Sequence, residues 1–348
     1  MTRPHTLAVR LDSAGDVLLQ GPALRALAAG SRRLTFLCGP TGAEAAKLLD
    51  GVDDILTFDA GWIRPDPPPL ECGPVAALVA SVRAAAPDVA AIFTSYHQSA
   101  LPTALLLRLA GVPRIGAISE DYPGALLDVR LARKGKVHEV QRSVDLAAAL
   151  GFPPPPGDDG RLRVRHRAVV PAPLDDGRPF VVLHPGASAA ARRWPPQRFH
   201  GLARLLAERG WRVVVTGSAA ERPVAEGVVE GVAGAVNLAG AGDLGLLASV
   251  LERARVLVVG NTGPAHLAAA TATPVISLFS PVVPVWAWRP WRVPHRVLGD
   301  QHAACAGTRA RTCPVPGHPC LADVDEGTVL RAIDEVLLTS APEQVVRA

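Results

Sequence analysis

Lysine is nearly missing from this 348-residue chain: Lys47, Lys134 and Lys136 are the only three among 36 basic residues. Arginine supplies the rest, yet 32 acidic residues bring the formal net charge to only +4. No run of like charges occurs, so the arginine excess reads as a coding bias and argues against a nucleic-acid partner. Long apolar runs are missing too. No stretch reaches the roughly 18 uninterrupted apolar residues of a membrane span, and Met1-Thr-Arg-Pro-His5 lacks the apolar segment of a secretion signal. A soluble, cytoplasmic protein is expected. The five cysteines, Cys38, Cys72, Cys305, Cys313 and Cys320, are an odd number, which argues against a secreted disulfide framework. Also absent are the Walker phosphate loop and Gly-x-Ser-x-Gly, which weighs against nucleoside-triphosphatase and serine-hydrolase chemistry.

What is present is a chain with 49% hydrophobic and 20% charged residues, enough to bury a large core and long enough for two domains. Leu7-Ala-Val-Arg-Leu11 fits a buried strand, Asp12-Ser-Ala-Gly-Asp16 a turn, and Pro22 the first turn of a following helix. Further strands are predicted at 34–38, 54–58, 89–93 and 114–117, separated by helical patterns at 42–49, 75–85 and 100–109. A helix follows at 137–150. The proline-rich segment 64–69 reads as a surface loop, and Pro153-Pro-Pro-Pro156 with Gly157-Asp-Asp-Gly160 as a larger break. From residue 180 the rhythm restarts, with strands at 180–184, 211–216, 256–259 and 274–279 and helices at 196–208, 220–233, 244–254 and 265–270. This alternation predicts an α/β protein of two doubly wound, parallel-sheet domains, 1–170 and 171–325, followed by a helix and tail at 326–348. The last helix, 328–338, has one apolar face with which to dock. Ligands are expected at the carboxyl ends of both sheets, facing an interdomain cleft.

Several loops carry candidate chemistry. Asn261-Thr-Gly-Pro264 joins a strand to a helix. Gly263 lets the backbone approach a ligand and the free amides of the helix start favour an anion, though Thr262 as a plain helix cap is an equal alternative. His266, in the first helical turn, either donates to a phosphate or packs as a core histidine. His184-Pro-Gly-Ala-Ser188, followed by Arg192, could hold a second face of a pyrophosphate by hydroxyl and guanidinium; a surface arginine is the bland reading. Glu221, after Thr216-Gly-Ser218, could accept from ribose hydroxyls or simply favour a helix start. Asp16 could take a proton from an acceptor hydroxyl or cap a helix.

Taken together, Arg10-Leu-Asp-Ser-Ala-Gly-Asp-Val-Leu-Leu-Gln-Gly-Pro-Ala-Leu-Arg25, His184-Pro-Gly-Ala187, Arg193-Trp-Pro195 and Gly263-Pro-Ala-His-Leu-Ala-Ala269 resemble the signature blocks of the lipopolysaccharide heptosyltransferases, glycosyltransferase family 9. His138-Glu-Val-Gln-Arg142 and the tail from Cys313 to Cys320 extend the resemblance over nearly the whole chain. The resemblance implies a GT-B fold, no essential metal or cofactor, an ADP-heptose donor held mainly by the second domain, and inverting transfer to a hydroxyl of a glycan or small-molecule acceptor. A lipid-linked acceptor would bring peripheral contact with the inner membrane. Carried over, Asp16 is the general base, Ser188 and Arg192 contact donor phosphate, Thr262, Gly263 and His266 form the diphosphate site, and Glu221 meets the ribose. Asn261 departs from the aspartate usual in the family, replacing a charged acceptor by an amide that also donates. Two alternatives stand beside this reading: a nucleotide-sugar epimerase or hydrolase of the same fold, and a non-catalytic nucleotide-sugar-binding partner. Near the end, Cys305, Cys313 and Cys320 lack the short ligand pairs of structural zinc sites and are expected as thiols or one local disulfide. Trp286, Trp288 and Trp291 either stack on a sugar or pack, the latter being expected.

Overall fold

The computed structural model describes residues 3–64, 67, 69–132, 135–169 and 171–340. The chain divides into two compact units, Met1–Arg165 and His166–Ala348, so the division falls five residues before the boundary expected from sequence. That expected boundary itself, at residue 170, lies outside the described residues. So do residues 65, 66 and 68 of the anticipated proline loop and the tail after residue 340.

The first unit is built on strands β1 (His5–Arg10), β2 (Arg33–Cys38), β3 (Asp54–Thr57), β4 (Val89–Ile92), β5 (Arg114–Ile118) and β6 (Val129–Leu131). They form one parallel sheet in the order β3-β2-β1-β4-β5-β6. Between them run helices α1 (Ala14–Leu18), α2 (Gly21–Gly30), α3 (Ala43–Lys47), α4 (Cys72–Ala85) and α5 (Leu101–Leu109), with α6 (Glu139–Ala149) after β6. Every residue of β1 is buried, as helices on both faces of a parallel sheet require. Prolines 22 and 102 sit in the first turns of α2 and α5, where a missing N–H costs nothing.

The second unit repeats this plan. Strands β7 (Phe180–His184), β8 (Arg212–Val215), β9 (Val236–Asn237), β10 (Val256–Gly260), β11 (Val275–Leu278) and β12 (His295–Leu298) pair in parallel in the order β12-β11-β10-β7-β8-β9. Its helices are α7 (Pro196–Glu208), α8 (Arg222–Val229), α9 (Leu244–Arg253), α10 (Gly263–Ala270), α11 (Val285–Trp288), α12 (Pro319–Ala322) and α13 (Glu326–Ser340). The amphipathic α13 buries Val329, Ile333 and Val336 in the core of this unit, against α7 and the β11–β12 edge. Trp194 is fully buried there, edge-on to Phe199 with ring centroids 4.9 Å apart, and its indole N–H donates to the Val324 carbonyl at 3.0 Å.

In each sheet the strand order reverses once, between β1 and β4 and between β7 and β10. Connections leave these neighbouring strands toward opposite faces, which opens a crevice at their carboxyl ends. The expected strands and long helices are present, while β6, β9, β12, α11 and α12, of two to four residues each, had no counterpart in the sequence reading. The segment read as a turn around Asp16 is in fact helical: Ser13 is extended and precedes α1, and Asp16 is its third residue. Among the described residues no helix is long and apolar enough to cross a membrane.

Candidate functional site

In the first unit the strand-order reversal gathers an ionic network. Arg10, the last residue of β1, has no exposed surface. Its Nε lies 2.7 Å from Asp12 Oδ2, its Nη2 donates to Asp16 Oδ1 at 3.1 Å and to Ser95 Oγ at 2.8 Å, and its Nη1 lies 3.5 Å from Glu139 Oε2. Burial alone would lower its pKa. The three carboxylates more than reverse that, so the guanidinium stays charged. Burial pushes the Asp12 and Glu139 carboxyls above their usual range, against the pull of Arg10. Around this core, Gln98 donates to Asp12 Oδ1 at 2.5 Å and Arg142 to Glu139 Oε1 at 2.6 Å.

Asp16 is the more accessible member, its side chain one-fifth exposed. Its Oδ2 accepts from Ser13 Oγ at 2.8 Å. Gln20 donates to the Asp16 carbonyl and accepts from Ser143 Oγ of α6, which ties α1 to that helix. The sequence reading singled out Asp16 but not Arg10, Asp12, Ser95, Glu139 or Arg142 as site residues. Arg10 and Asp12 stand beside Asp16 in sequence and could have been suspected. Glu139 and Arg142 belong to the 138–142 block, whose role the chain order hides.

In the second unit three loops meet at the carboxyl ends of β8, β7 and β10. His184, ending β7, is buried, and its Nδ1 lies 3.0 Å from Thr216 Oγ1. Burial lowers its pKa to about 4, although the nearby Glu221 charge acts the other way. Glu221 Oε2 accepts from the Ser218 backbone N–H at 2.8 Å and from its hydroxyl at 2.9 Å. Burial raises the Glu221 pKa, but these bonds and the neighbouring His184 and Arg193 outweigh it and leave it lowered. The helix-start role weighed for Glu221 is therefore real. A Cβ on Gly186 would collide with the Glu221 carboxylate, so glycine there lets the two loops touch.

Arg192 closes a short 3-10 turn, and its carbonyl would sit 2.7 Å from a Cβ on Gly260. Only glycine fits. Ser188 is exposed, and its carbonyl accepts from Arg311 at 3.3 Å. Thr262 is extended and precedes α10, but its side chain makes no capping bond, while Gly263 and Pro264 open the helix and His266 is buried in its first turn. Asn261 is buried, and its Oδ1 accepts from Ser280 N–H at 3.3 Å. That bond turns the amide NH2 elsewhere, where it has no protein acceptor among the described residues. Of the seven site residues expected from sequence, Asp16 thus lies on the first unit and the other six on the second.

All five cysteines are free thiols. Cys305 and Cys320 pack into apolar clusters, and burial and the neighbouring thiols push Cys320 up to about 11. Among the described residues no group of three or more His, Cys, Asp or Glu is placed to hold a metal ion. Trp286, Trp288 and Trp291 are half-buried, and Arg292 lies 5.4 Å over the Trp291 ring.

The sequence model of glycosyltransferase family 9 (heptosyltransferase) matches residues 76–318. Lipopolysaccharide heptosyltransferase 1 of Pseudomonas aeruginosa is 35% identical over 196 residues, 54% of this chain and 54% of that protein, so the match spans about half the length of this curated relative. A family 9 glycosyltransferase structure from Veillonella parvula superposes with a TM-score of 0.76 at 17% identity, covering 97% of this chain and 98% of that one. E. coli heptosyltransferase WaaC with ADP-2-deoxy-2-fluoro heptose superposes with a TM-score of 0.70 at 21% identity, covering 95% and 99%. These structures establish the fold, GT-B, built of two Rossmann-like domains. With its family blocks gathered at the two strand-order reversals, the chain belongs to glycosyltransferase family 9.

Proposed function

We propose that the protein is an inverting glycosyltransferase that moves a heptose from ADP-heptose to a hydroxyl of a glycan or small-molecule acceptor. The observation that carries this reading is Asp16: a carboxylate at the carboxyl edge of the first sheet, on the first turn of its helix, held by a buried guanidinium. A base so placed can take the proton of an acceptor hydroxyl as its oxygen attacks the anomeric carbon. The new C–O bond forms as the bond to the diphosphate breaks on the opposite face, the proton ends on Asp16, and ADP departs.

Arg192, the Ser188 hydroxyl, Thr262, the amides at Gly263 and His266 are assigned to the donor diphosphate, where they would stabilise the charge building on ADP. Both Ser218 bonds fall on Glu221 Oε2, and Oε1 is assigned to a ribose hydroxyl of the donor. The buried amide of Asn261 supplies a donor where the family's usual aspartate could only accept. The WaaC structure with ADP-2-deoxy-2-fluoro heptose supports the choice of donor. Transfer also requires that water, which would compete as acceptor, be kept from the reacting carbon.

Calorimetric titration of the purified protein with ADP-heptose and, separately, with UDP- and GDP-sugars tests the donor. Saturable binding confined to ADP-heptose is the expected result. Preference for another nucleotide sugar would overturn the donor assignment.

A further inference from the structure

Every backbone carbonyl from Ala187 to Ala191, in the loop after β7, accepts a hydrogen bond from within the second unit. Those of Ala187, Ala189 and Ala190 are met locally, by Arg193 Nε at 2.8 Å and by the N–H groups of Arg192 and Arg193 at 3.0 and 3.1 Å. The other two are met from far along the chain. Arg311 Nη2 donates to the Ser188 carbonyl at 3.3 Å, and His318 Nε2 donates to the Ala191 carbonyl at 3.1 Å. These partners lie 123 and 127 positions away, in the segment between β12 and α12.

That segment is itself anchored beside the loop. The N–H groups of Gly307 and Arg309 donate to the Pro281 and Val282 carbonyls at 2.9 and 2.7 Å, and the Arg311 carbonyl accepts from the Ala191 N–H at 2.9 Å. Cys305 is buried with Ala191 and Val282, and Cys313 packs against them. The backbone of His318 is strained: its φ of 51° lies in the left-handed region that favours glycine. A histidine kept at such a position points to a use for its side chain.

The consequence is electrostatic. With its carbonyls bonded within the protein, the loop presents donors. The N–H groups of Ala187, Ser188, Ala189 and Ala190 have no acceptor among the described residues, and the Ser188 hydroxyl lies beside them. Successive N–H groups of this kind make a concavity for an anion. An unheld carbonyl at Ser188 or Ala191 could turn its negative end toward a diphosphate. We propose that Arg311 and His318 are positioning residues for the donor diphosphate, clasping the 187–191 loop so that it offers only hydrogen-bond donors. The proposal rests on the assignment of Ser188 and Arg192 to that diphosphate, and it gives the 313–320 block a task in the reaction.

Calorimetric titration with ADP, beside NMR titration with adenosine, which lacks the phosphates, separates positioning from general damage. His318→Gly deletes the bond and relieves the left-handed strain, so its thermal midpoint is expected within about 3 °C of the parent. ADP is expected to bind it about fivefold weaker, the size of one lost hydrogen bond, with adenosine within about twofold of the parent. His318→Gln, whose amide also donates, should recover most of the loss. Arg311→Met, at an exposed position, should weaken ADP by a similar factor and again spare adenosine. Unchanged ADP affinity in either His318→Gly or Arg311→Met, adenosine weakened in step with ADP, or no recovery in His318→Gln would overturn the proposal. The parent protein keeps the two claims apart. If it does not bind ADP, the donor reading fails and the clasp with it; if it binds ADP and the variants bind equally well, only the clasp fails.

Discussion

Arg10 has no contact with solvent, and a lone buried guanidinium would be untenable there; Asp12, Asp16 and Glu139 make it stable by surrounding it. Removing the cation should therefore cost more than its bonds. Arg10→Met is expected to lower unfolding free energy at neutral pH by about 3–5 kcal/mol, as for other broken buried pairs, measured by urea denaturation. Burial already raises the Asp12 and Glu139 pKa values, so the folded state holds these protons more tightly than the unfolded chain does. The deficit should accordingly shrink as pH falls into the carboxylate range. His184 gives the opposite slope. Folded, it stays neutral down to about pH 4; unfolded, it takes a proton near its ordinary 6.5. Between those values the unfolded chain binds the extra proton, so stability should fall by roughly 3 kcal/mol as pH drops through the window. His184→Gln should flatten that part of a stability-against-pH curve, and an unchanged slope would assign it to other groups. At this scale the sequence was partly legible. Arg10, Asp12 and Asp16 lie within seven residues of one another, whereas Glu139 reaches Arg10 across 129 positions that only the fold brings together.

The long helices and buried strands could be read from apolar runs and from proline in first helical turns, because those signals are local. The edge strands β6, β9 and β12 could not. Two to four residues give too little periodicity, and their strand character comes from the neighbour each pairs with. The helix α1 was hidden for a related reason: Ser13, Gly15 and Asp16 are residue types that favour turns, yet Ser13 sits extended before a helix and its hydroxyl donates to the Asp16 carboxylate. Trp194 shows how one side chain fixes several elements. It fills the core beside α7 and bonds the backbone just before α13. Trp194→Ala should lower stability by about 3–5 kcal/mol, read from the denaturation midpoint. A cost below about 1 kcal/mol would mean that the surrounding loops collapse into the space.

Across the whole molecule the same six-strand order occurs twice, and each copy carries its family blocks where that order reverses. The doubly wound class was legible because strand and helix patterns alternate along the entire chain. The candidate site is directed to these loops by the rule that ligands meet the carboxyl ends of such sheets. The six candidate donor residues fall on one unit and the candidate base on the other, so donor affinity and chemistry should be separable by mutation. The most direct test is Asp16→Asn, assayed for sugar transfer from ADP-heptose and, in parallel, for ADP affinity by calorimetry. Turnover is expected to vanish while ADP affinity stays within a few fold of the parent protein. Retained turnover, or loss of ADP binding in step with activity, would contradict the assignment of Asp16 as the base.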